Sequence, residues 1–166
     1  MERWGFPPFK RPWRARARRT EGEFAGQAVI VLKPQTYMNR SGAALSRLRV
    51  ADDFDPAQHL LVVVDEVQLP VGTFRVRARG SAGGHNGLRS IEGALQSQEY
   101  ARLRIGVGPT GPIDTDLADF VLRSFEPEER RIIDDRLPAA AEAVECWVTD
   151  GTETAMNRYN QLGKEE

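Results

Sequence analysis

The sequence has few of the residues that hold metals and form disulfides. It contains one cysteine, Cys146, and two histidines, His59 and His85, in 166 residues. A single cysteine forms no intrachain disulfide, so nothing here asks for an oxidising compartment. The same scarcity argues against a dedicated Cys/His zinc site. Lysine is scarce as well, with Lys10, Lys33 and Lys164 the only three. No apolar run approaches the ~18 residues needed to cross a bilayer. The N-terminus lacks the apolar core of a secretory signal. These absences predict a soluble cytoplasmic protein that does not engage a membrane.

Arginine takes the place of lysine, with 20 residues. Its guanidinium is the better bidentate partner for phosphate. Net charge is −1 and the pI is about 6.2, so the chain is no global polycation. The arginines cluster, however, and the acids gather in the C-terminal third. A basic face on a nearly neutral protein is the expectation. The length suits one domain with a proper core.

One stretch concentrates chemistry: Gly80-Ser81-Ala82-Gly83-Gly84-His85-Asn86-Gly87-Leu88-Arg89-Ser90. Its glycines allow positive φ and close approach of backbone to a ligand. It leads into a helical pattern over Leu88–Leu95, so free N–H groups and the helix dipole favour a phosphate or oxyanion there. The plainer reading is a glycine turn with an Asn cap and a satisfied histidine. Before it, Thr73 to Arg79 alternates, with Arg75, Arg77 and Arg79 on one face. Same-face neighbours in a strand lie ~6.6 Å apart, which makes a row suited to a polyanion. The competing reading is an edge strand charged against aggregation.

The remaining elements follow from pattern. Trp13 to Thr20 alternates like a strand, Glu21 to Gln27 reads as a connection, and Ala28 to Leu32 reads as a strand buried on both faces. That predicts a hairpin from Trp13 to Leu32. Lys33 to Gly42 then leads into a helix with Ala44, Leu45, Leu48 and Val50 inward, and Thr36, Asn39 and Ser41 are possible caps. Tyr37 and Asn39 are candidates for ligand binding, because ligands gather at the C-terminal ends of strands in α/β sheets. His59 to Val67 reads as a strand ending in Asp65 and Glu66, and Asp65 could orient an imidazole. Leu69 to Gly72 is a turn, and Ala101 to Gly108 is a strand. Gly106-Val107-Gly108-Pro109-Thr110-Gly111 matches a dinucleotide fingerprint, but Pro109 and Pro112 obstruct the helix that motif needs. Glu126-Pro127-Glu128-Glu129 opens a long helix burying Ile132, Ile133, Leu137, Ala140, Val144 and Trp147. Pro138 should kink it and Asp150-Gly151 should end it. Strands interleaved with helices make one α/β domain over residues 1–166, a twisted mixed β-sheet flanked by helices.

Several blocks together resemble the bacterial peptidyl-tRNA hydrolases. They are Lys33 to Gly42, Val64-Asp65-Glu66 with Leu69-Pro70 and Gly72, Gly83 to Ile91, and Arg102 to Gly108. Asp119 to Leu122, Trp147 to Gly151 and Ala155-Met156-Asn157 extend the likeness, in the family's order and spacing. The resemblance implies hydrolysis of the ester between a peptide and the 3′ ribose of tRNA. It implies a monomer whose partner is peptidyl-tRNA and which uses no metal or organic cofactor. By position, Asn39 and Asn86 resemble the asparagines that hold the ester and the attacking water. Tyr37 resembles the aromatic residue lining the tRNA end of the cleft. Asp65 resembles the acid that orients the general base, and His85 the second cleft histidine. Arg77 and Arg104 fall where the family has a basic pair for a tRNA phosphate.

The sequence departs from the family at its start. The family's first strand, its Gly-Asn-Pro-Gly loop and its Thr-Arg-His-Asn segment, which carries the general-base histidine, have no counterpart from Met1 onward. Val64 stands where the family usually has a histidine before Asp65. His59, read as the start of a strand, lies at the wrong edge to replace either. The favoured reading is an ordinary hydrolase of peptidyl-tRNA whose N-terminus is truncated here. The alternatives are a catalytically impaired relative that binds tRNA or another RNA, and an enzyme using His85 as its base.

Overall fold

The computed structural model describes residues 2–10, 16–45, 52–109 and 117–161. The elements are β1 (Ala17–Phe24), β2 (Gln27–Pro34), α1 (Pro56–His59), β3 (Leu61–Pro70), β4 (Phe74–Arg77), α2 (Asn86–Leu95), β5 (Ala101–Gly108), α3 (Leu117–Leu122) and α4 (Pro127–Tyr159). Short 3₁₀ helices span Glu2–Trp4 and Met38–Ala44. The chain forms two compact units, Met1–Pro56 with Arg79–Glu99, and Ala57–Ala78 with Tyr100–Glu166.

In the first unit β1 and β2 form an antiparallel hairpin in register from Phe24↔Gln27 to Ala17↔Pro34. The expected seven-residue connection shrinks to Ala25 and Gly26, both at positive φ, 50° and 79°. Two positive φ values are what a tight two-residue hairpin needs. Gly22, expected in the loop, lies inside β1 because Phe6 rests on it: a Cβ there would be 2.6 Å from the ring. Thr20, only 4% exposed, is held by a hydrogen bond from its hydroxyl to the Pro7 carbonyl at 2.7 Å. Trp13 to Ala15, the start of the expected strand, lies outside the described residues. β2 is not buried on both faces as expected, and Ile30 is 39% exposed. Among the described residues β2 pairs only with β1, so its apolar run has no second strand beside it.

The helix expected after Gly42 is a 3₁₀ helix beginning at Met38, while Leu48 and Val50 lie outside the described residues. His59 does not start a strand but ends α1. The strand it was assigned to begins at Leu61 and runs to Pro70, taking the first half of the expected turn, which forms at Val71 and Gly72 and is closed by the Thr73 N–H on the Pro70 carbonyl at 3.1 Å.

The second unit holds a three-stranded sheet in the order β3-β5-β4, with β3 parallel and β4 antiparallel to β5. The sheet is mixed, as its sequence predicts. Its core joins Val76 and Leu103, each 1% exposed, to Ala140, Ala143, Cys146 and Ala155 of α4. Small residues on α4 bring the helix close to the strands. Full burial of Val76 and Leu103 stabilises the unit by roughly 1.5–3 kcal/mol each. Ile133, Ala140 and Ala143 follow a helical spacing that defines this seam. Ile132 and Leu137 flank the seam, which is why both stay partly exposed, at 37% and 44%, against expectation.

α4 runs through Pro138 and breaks instead at Gly151, where φ is 81° and ψ is 177°. Gly106 and Gly108 owe their presence to packing. A Cβ on Gly106 would lie 2.1 Å from the Pro70 carbonyl oxygen, and one on Gly108 2.0 Å from that of Val67. Both face β3 where its register with β5 shifts between Glu66 and Pro70. The fingerprint-like glycines therefore serve strand contact, in keeping with its rejection as a nucleotide site.

Candidate active site

The glycine-rich stretch folds around His85. Gly83 and Gly84, at φ of 57° and 88°, turn the chain, and the His85 N–H donates to the Ala82 carbonyl at 2.9 Å. His85 then caps α2. Its Nδ1 accepts from the backbone N–H groups of Gly87 at 3.1 Å and Leu88 at 3.2 Å. A ring nitrogen that accepts carries no proton, so this network assigns the proton of the neutral ring to Nε2. The expectation of an open helix N-terminus for an anion is corrected here, since His85 itself satisfies two of those N–H groups. The cap is also His85, not Asn86.

The 3₁₀ helix Met38–Ala44 is locked onto the first turns of α2 by two close approaches. At one, the Gly42 N–H donates to Ser90 Oγ at 3.1 Å, and a Cβ on Gly42 would be 2.1 Å from the Ser90 carbonyl oxygen. At the other, a Cβ on Gly87 would be 2.7 Å from Met38 Sδ. Two glycines thus let one backbone rest on the other. Tyr37 and Asn39 come from one side of this junction and His85 and Asn86 from the other.

Tyr37 is 84% exposed, and Asn39 and Asn86 are exposed as well. Tyr37 occupies the cap position of the 3₁₀ helix without a side-chain cap bond, and Asn39 lies inside that helix. None of Thr36, Asn39 and Ser41 acts as its cap. Ser41 Oγ donates to the Met38 carbonyl instead, at 2.9 Å. Asn86 Oδ1 accepts from Arg89 Nη1 at 3.3 Å.

The other expected residues lie in the second unit. Asp65 is half-buried on β3, opposite Ile105. On β4 and β5 Arg75 faces Arg104, and Arg77 faces Arg102. Directly opposed residues project from the same side of a sheet, so four arginines share one face. Like charges so placed repel, and two of the four are compensated. Arg104 Nη1 donates to Glu66 Oε2 at 2.6 Å, and these side chains are 20% and 15% exposed. Arg102 is fully buried with its guanidinium 4.4 Å from the centroid of the Tyr100 ring. Arg75 and Arg77 are exposed and have no ion-pair partner among the described residues. Arg79 falls beyond the strand and pairs with Glu99 at 3.6 Å.

Glu66 is a structural hub as well, because its Oε1 accepts from the Gln68 N–H at 3.1 Å where the register shifts. Sequence reasoning missed Arg102, because nothing in an alternating strand marks an arginine as buried. It also missed the Glu66–Arg104 pair, which depends on register. Among the described residues no group of three or more His, Cys, Asp and Glu side chains is placed to hold a metal ion.

The relatives of this mixed-sheet α/β chain place it among the hydrolases. A family model described as peptidyl-tRNA hydrolase matches residues 1–166. The chain belongs to the peptidyl-tRNA hydrolase family. It is 50% identical to the peptidyl-tRNA hydrolase of Chloroflexus aggregans over 150 residues, covering 90% of this chain and 79% of the relative. It is 45% identical to that of Gemmatimonas aurantiaca over 158 residues, covering 94% and 82%. The crystal structure of peptidyl-tRNA hydrolase from Acinetobacter baumannii matches with a TM-score of 0.84 at 30% identity, over 96% of this chain and 79% of that one.

Proposed function

We propose that the chain hydrolyses the ester joining a peptide to the 3′ oxygen of tRNA, as one functional domain acting in translation. Water adds to the ester carbonyl and loses a proton to a base. The bond between the acyl carbon and the ribose 3′ oxygen then breaks, the base returns its proton to that oxygen, which leaves as a hydroxyl, and the freed peptide carboxylic acid ionises. Asn39 and Asn86 hold the carbonyl and the attacking water through their amides. Tyr37 lines the nucleotide end. By the resemblance Asp65 would orient a general-base histidine, for which residues 1–166 hold no counterpart, and Arg75 and Arg77 take tRNA phosphates, with Arg104 beside them.

The observation that carries this reading is the glycine-locked junction. Rigid backbone contacts hold Asn39 and Asn86 on the two facing elements, and neither amide is used to cap its helix. The same reading has the protein working as a cytoplasmic monomer. Among the described residues no helix is long and apolar enough to cross a membrane.

His85 fits a supporting role better than that of base. To take a proton it would have to use Nδ1, giving up both cap bonds.

Release of free tRNA from purified peptidyl-tRNA tests the proposal. Asn39→Asp and Asn86→Asp should each lower turnover by roughly 10²–10³, the usual loss for one carbonyl-polarising donor. Being exposed, both should leave the melting temperature within about 2 °C. Turnover falling only in step with stability would make the asparagines structural.

A further inference from the structure

The sulfur of Met38 sits in the junction that carries Asn39 and Asn86, yet Met38 is 53% exposed. We propose that Met38 is a site of reversible oxidation, at which a peroxide converts the thioether to the sulfoxide, loosens the junction and lowers turnover. The effect on turnover rests on the peptidyl-tRNA reading; the loosening of the junction does not.

The chain has three methionines, Met1, Met38 and Met156. Met156 packs against the core of the second unit. Cys146 is 6% exposed, and burial pushes its thiol up, away from the reactive thiolate. Among the described residues Met38 is therefore the most accessible sulfur-bearing side chain. The step needs only a hydroperoxide. Sulfur gives an electron pair to one peroxide oxygen, the O–O bond breaks, and the second oxygen takes up the proton and leaves as water. Sulfur is oxidised and the peroxide reduced.

The sulfur has little spare room on the side of α2. A Cβ on Gly87 would be 2.7 Å from Met38 Sδ and 2.8 Å from His85 Cε1, so sulfur, glycine and imidazole meet at one point. A thioether accepts hydrogen bonds only weakly. The sulfoxide adds an oxygen there and makes the group polar and chiral. Two donors are at hand. Ser41 Oγ lies 3.8 Å from Sδ while donating its one proton to the Met38 carbonyl at 2.9 Å. Passing that proton to the sulfoxide frees the carbonyl in the 3₁₀ helix that carries Asn39. The Gly87 N–H, on His85 Nδ1 at 3.1 Å, belongs to the α2 cap beside Asn86. Either exchange loosens an element that places an asparagine.

The test treats the full chain with hydrogen peroxide and locates the added oxygen by mass spectrometry of its peptides. Met38 should take up oxygen before Met156 and Cys146. Amide hydrogen exchange should then quicken at Gly87 and Leu88, while the β3-β5-β4 sheet stays as protected as before. Turnover on peptidyl-tRNA should fall roughly 10²-fold, the usual loss when a reacting group is misplaced by about 1 Å. Methionine sulfoxide reductases supplied with a dithiol should restore both. Met38→Leu, whatever turnover it starts from, should hold it through the same treatment. Met38→Gln, which sets a polar acceptor in place of the thioether, should show the faster exchange with no peroxide added.

Oxygen on Met156 or Cys146 ahead of Met38 overturns the proposal. So does a Met38 sulfoxide with unchanged exchange at Gly87 and Leu88, or a Met38→Leu variant that loses turnover as fast as the parent. If the untreated chain releases no tRNA, the peptidyl-tRNA reading fails, and exchange still decides whether oxidation of Met38 opens the junction. If it releases tRNA and the oxidised chain does so just as fast, only the oxidation proposal falls.

Discussion

The side chain of Asn160 pairs with both backbone groups of Val76, across 84 positions of sequence. Asn160 Oδ1 accepts from the Val76 N–H at 2.7 Å, and its Nδ2 donates to the Val76 carbonyl at 3.0 Å. Val76 is the middle of β4, an edge strand among the described residues. The amide therefore stands in for a missing neighbouring strand. An edge left bare would waste two buried hydrogen-bonding groups and invite pairing with other chains. Val76 also lies between Arg75 and Arg77, so the contact fixes the strand that carries the two exposed arginines.

Asn160→Ala should lower stability by about 1–3 kcal/mol, the worth of two hydrogen bonds at a buried residue. Asn160→Asp should do no better, because it sets a carboxylate against the Val76 carbonyl. Urea unfolding checks both, with the midpoint falling at unchanged slope. A variant as stable as the parent would show that water replaces the amide freely.

Patterns confined to one element were legible in the sequence. β5 spans Ala101–Gly108 as expected, β4 alternates with Arg75 and Arg77 outward, and α4 starts at the Glu126-Pro127 cap and breaks at Gly151. What failed depended on neighbours remote in sequence. Gly22 stays in a strand because Phe6 lies on it, and β2 is exposed because only β1 pairs with it. The site shows the same division. Asn39, Asn86 and Arg77 carry signals in their own segments. The burial of Arg102 and the pairing of Glu66 with Arg104 come only from the register of three strands.

His85 offers a separation of roles. His85→Ala should cost about 1 kcal/mol through loss of the α2 cap, and His85→Asn, a good capping residue, should restore most of it. With Nδ1 committed to Gly87 and Leu88, turnover of His85→Asn should fall less than tenfold. A positioned general base would contribute roughly 10²–10⁴-fold. A loss of that size with stability intact would make His85 the base after all.

The start of α4 should respond to acid. A hydrogen bond from Arg123 holds the Glu129 carboxyl below its ordinary range, against the opposing effect of burial. Arg123 donates to both carboxylate oxygens, at 2.9 and 2.5 Å, and the Glu126 N–H adds a bond at 2.9 Å. A depressed folded value means that this stabilisation is present above the unfolded glutamate value, about 4.3, and is lost as pH falls through the lowered one. The stability gap between the parent and Glu129→Gln should therefore be full at pH 7 and close below about pH 4. Thermal melts at several pH values measure it. A gap that stays constant to pH 3 would assign the effect to packing.

The two arginines expected to form a basic pair should behave differently when replaced. Arg77 is exposed and has no ion-pair partner among the described residues, so its charge is available to a phosphate. Arg104 is held by Glu66 at 2.6 Å and is largely covered, so much of its charge is already answered. Arg77→Ala should reduce the salt slope of tRNA binding by about 0.9, one duplex phosphate contact, and leave unfolding unchanged. Arg104→Ala should leave the slope nearly intact but lower stability. It strips Glu66 of its partner at the point where β3 shifts register, and a poorly solvated carboxylate left unpaired costs about 1–3 kcal/mol. Salt titrations of tRNA affinity, set beside urea unfolding of the same variants, separate the two. If Arg104→Ala flattened the slope as much as Arg77→Ala at unaltered stability, Arg104 would be a phosphate ligand and its bond to Glu66 a resting contact given up on binding.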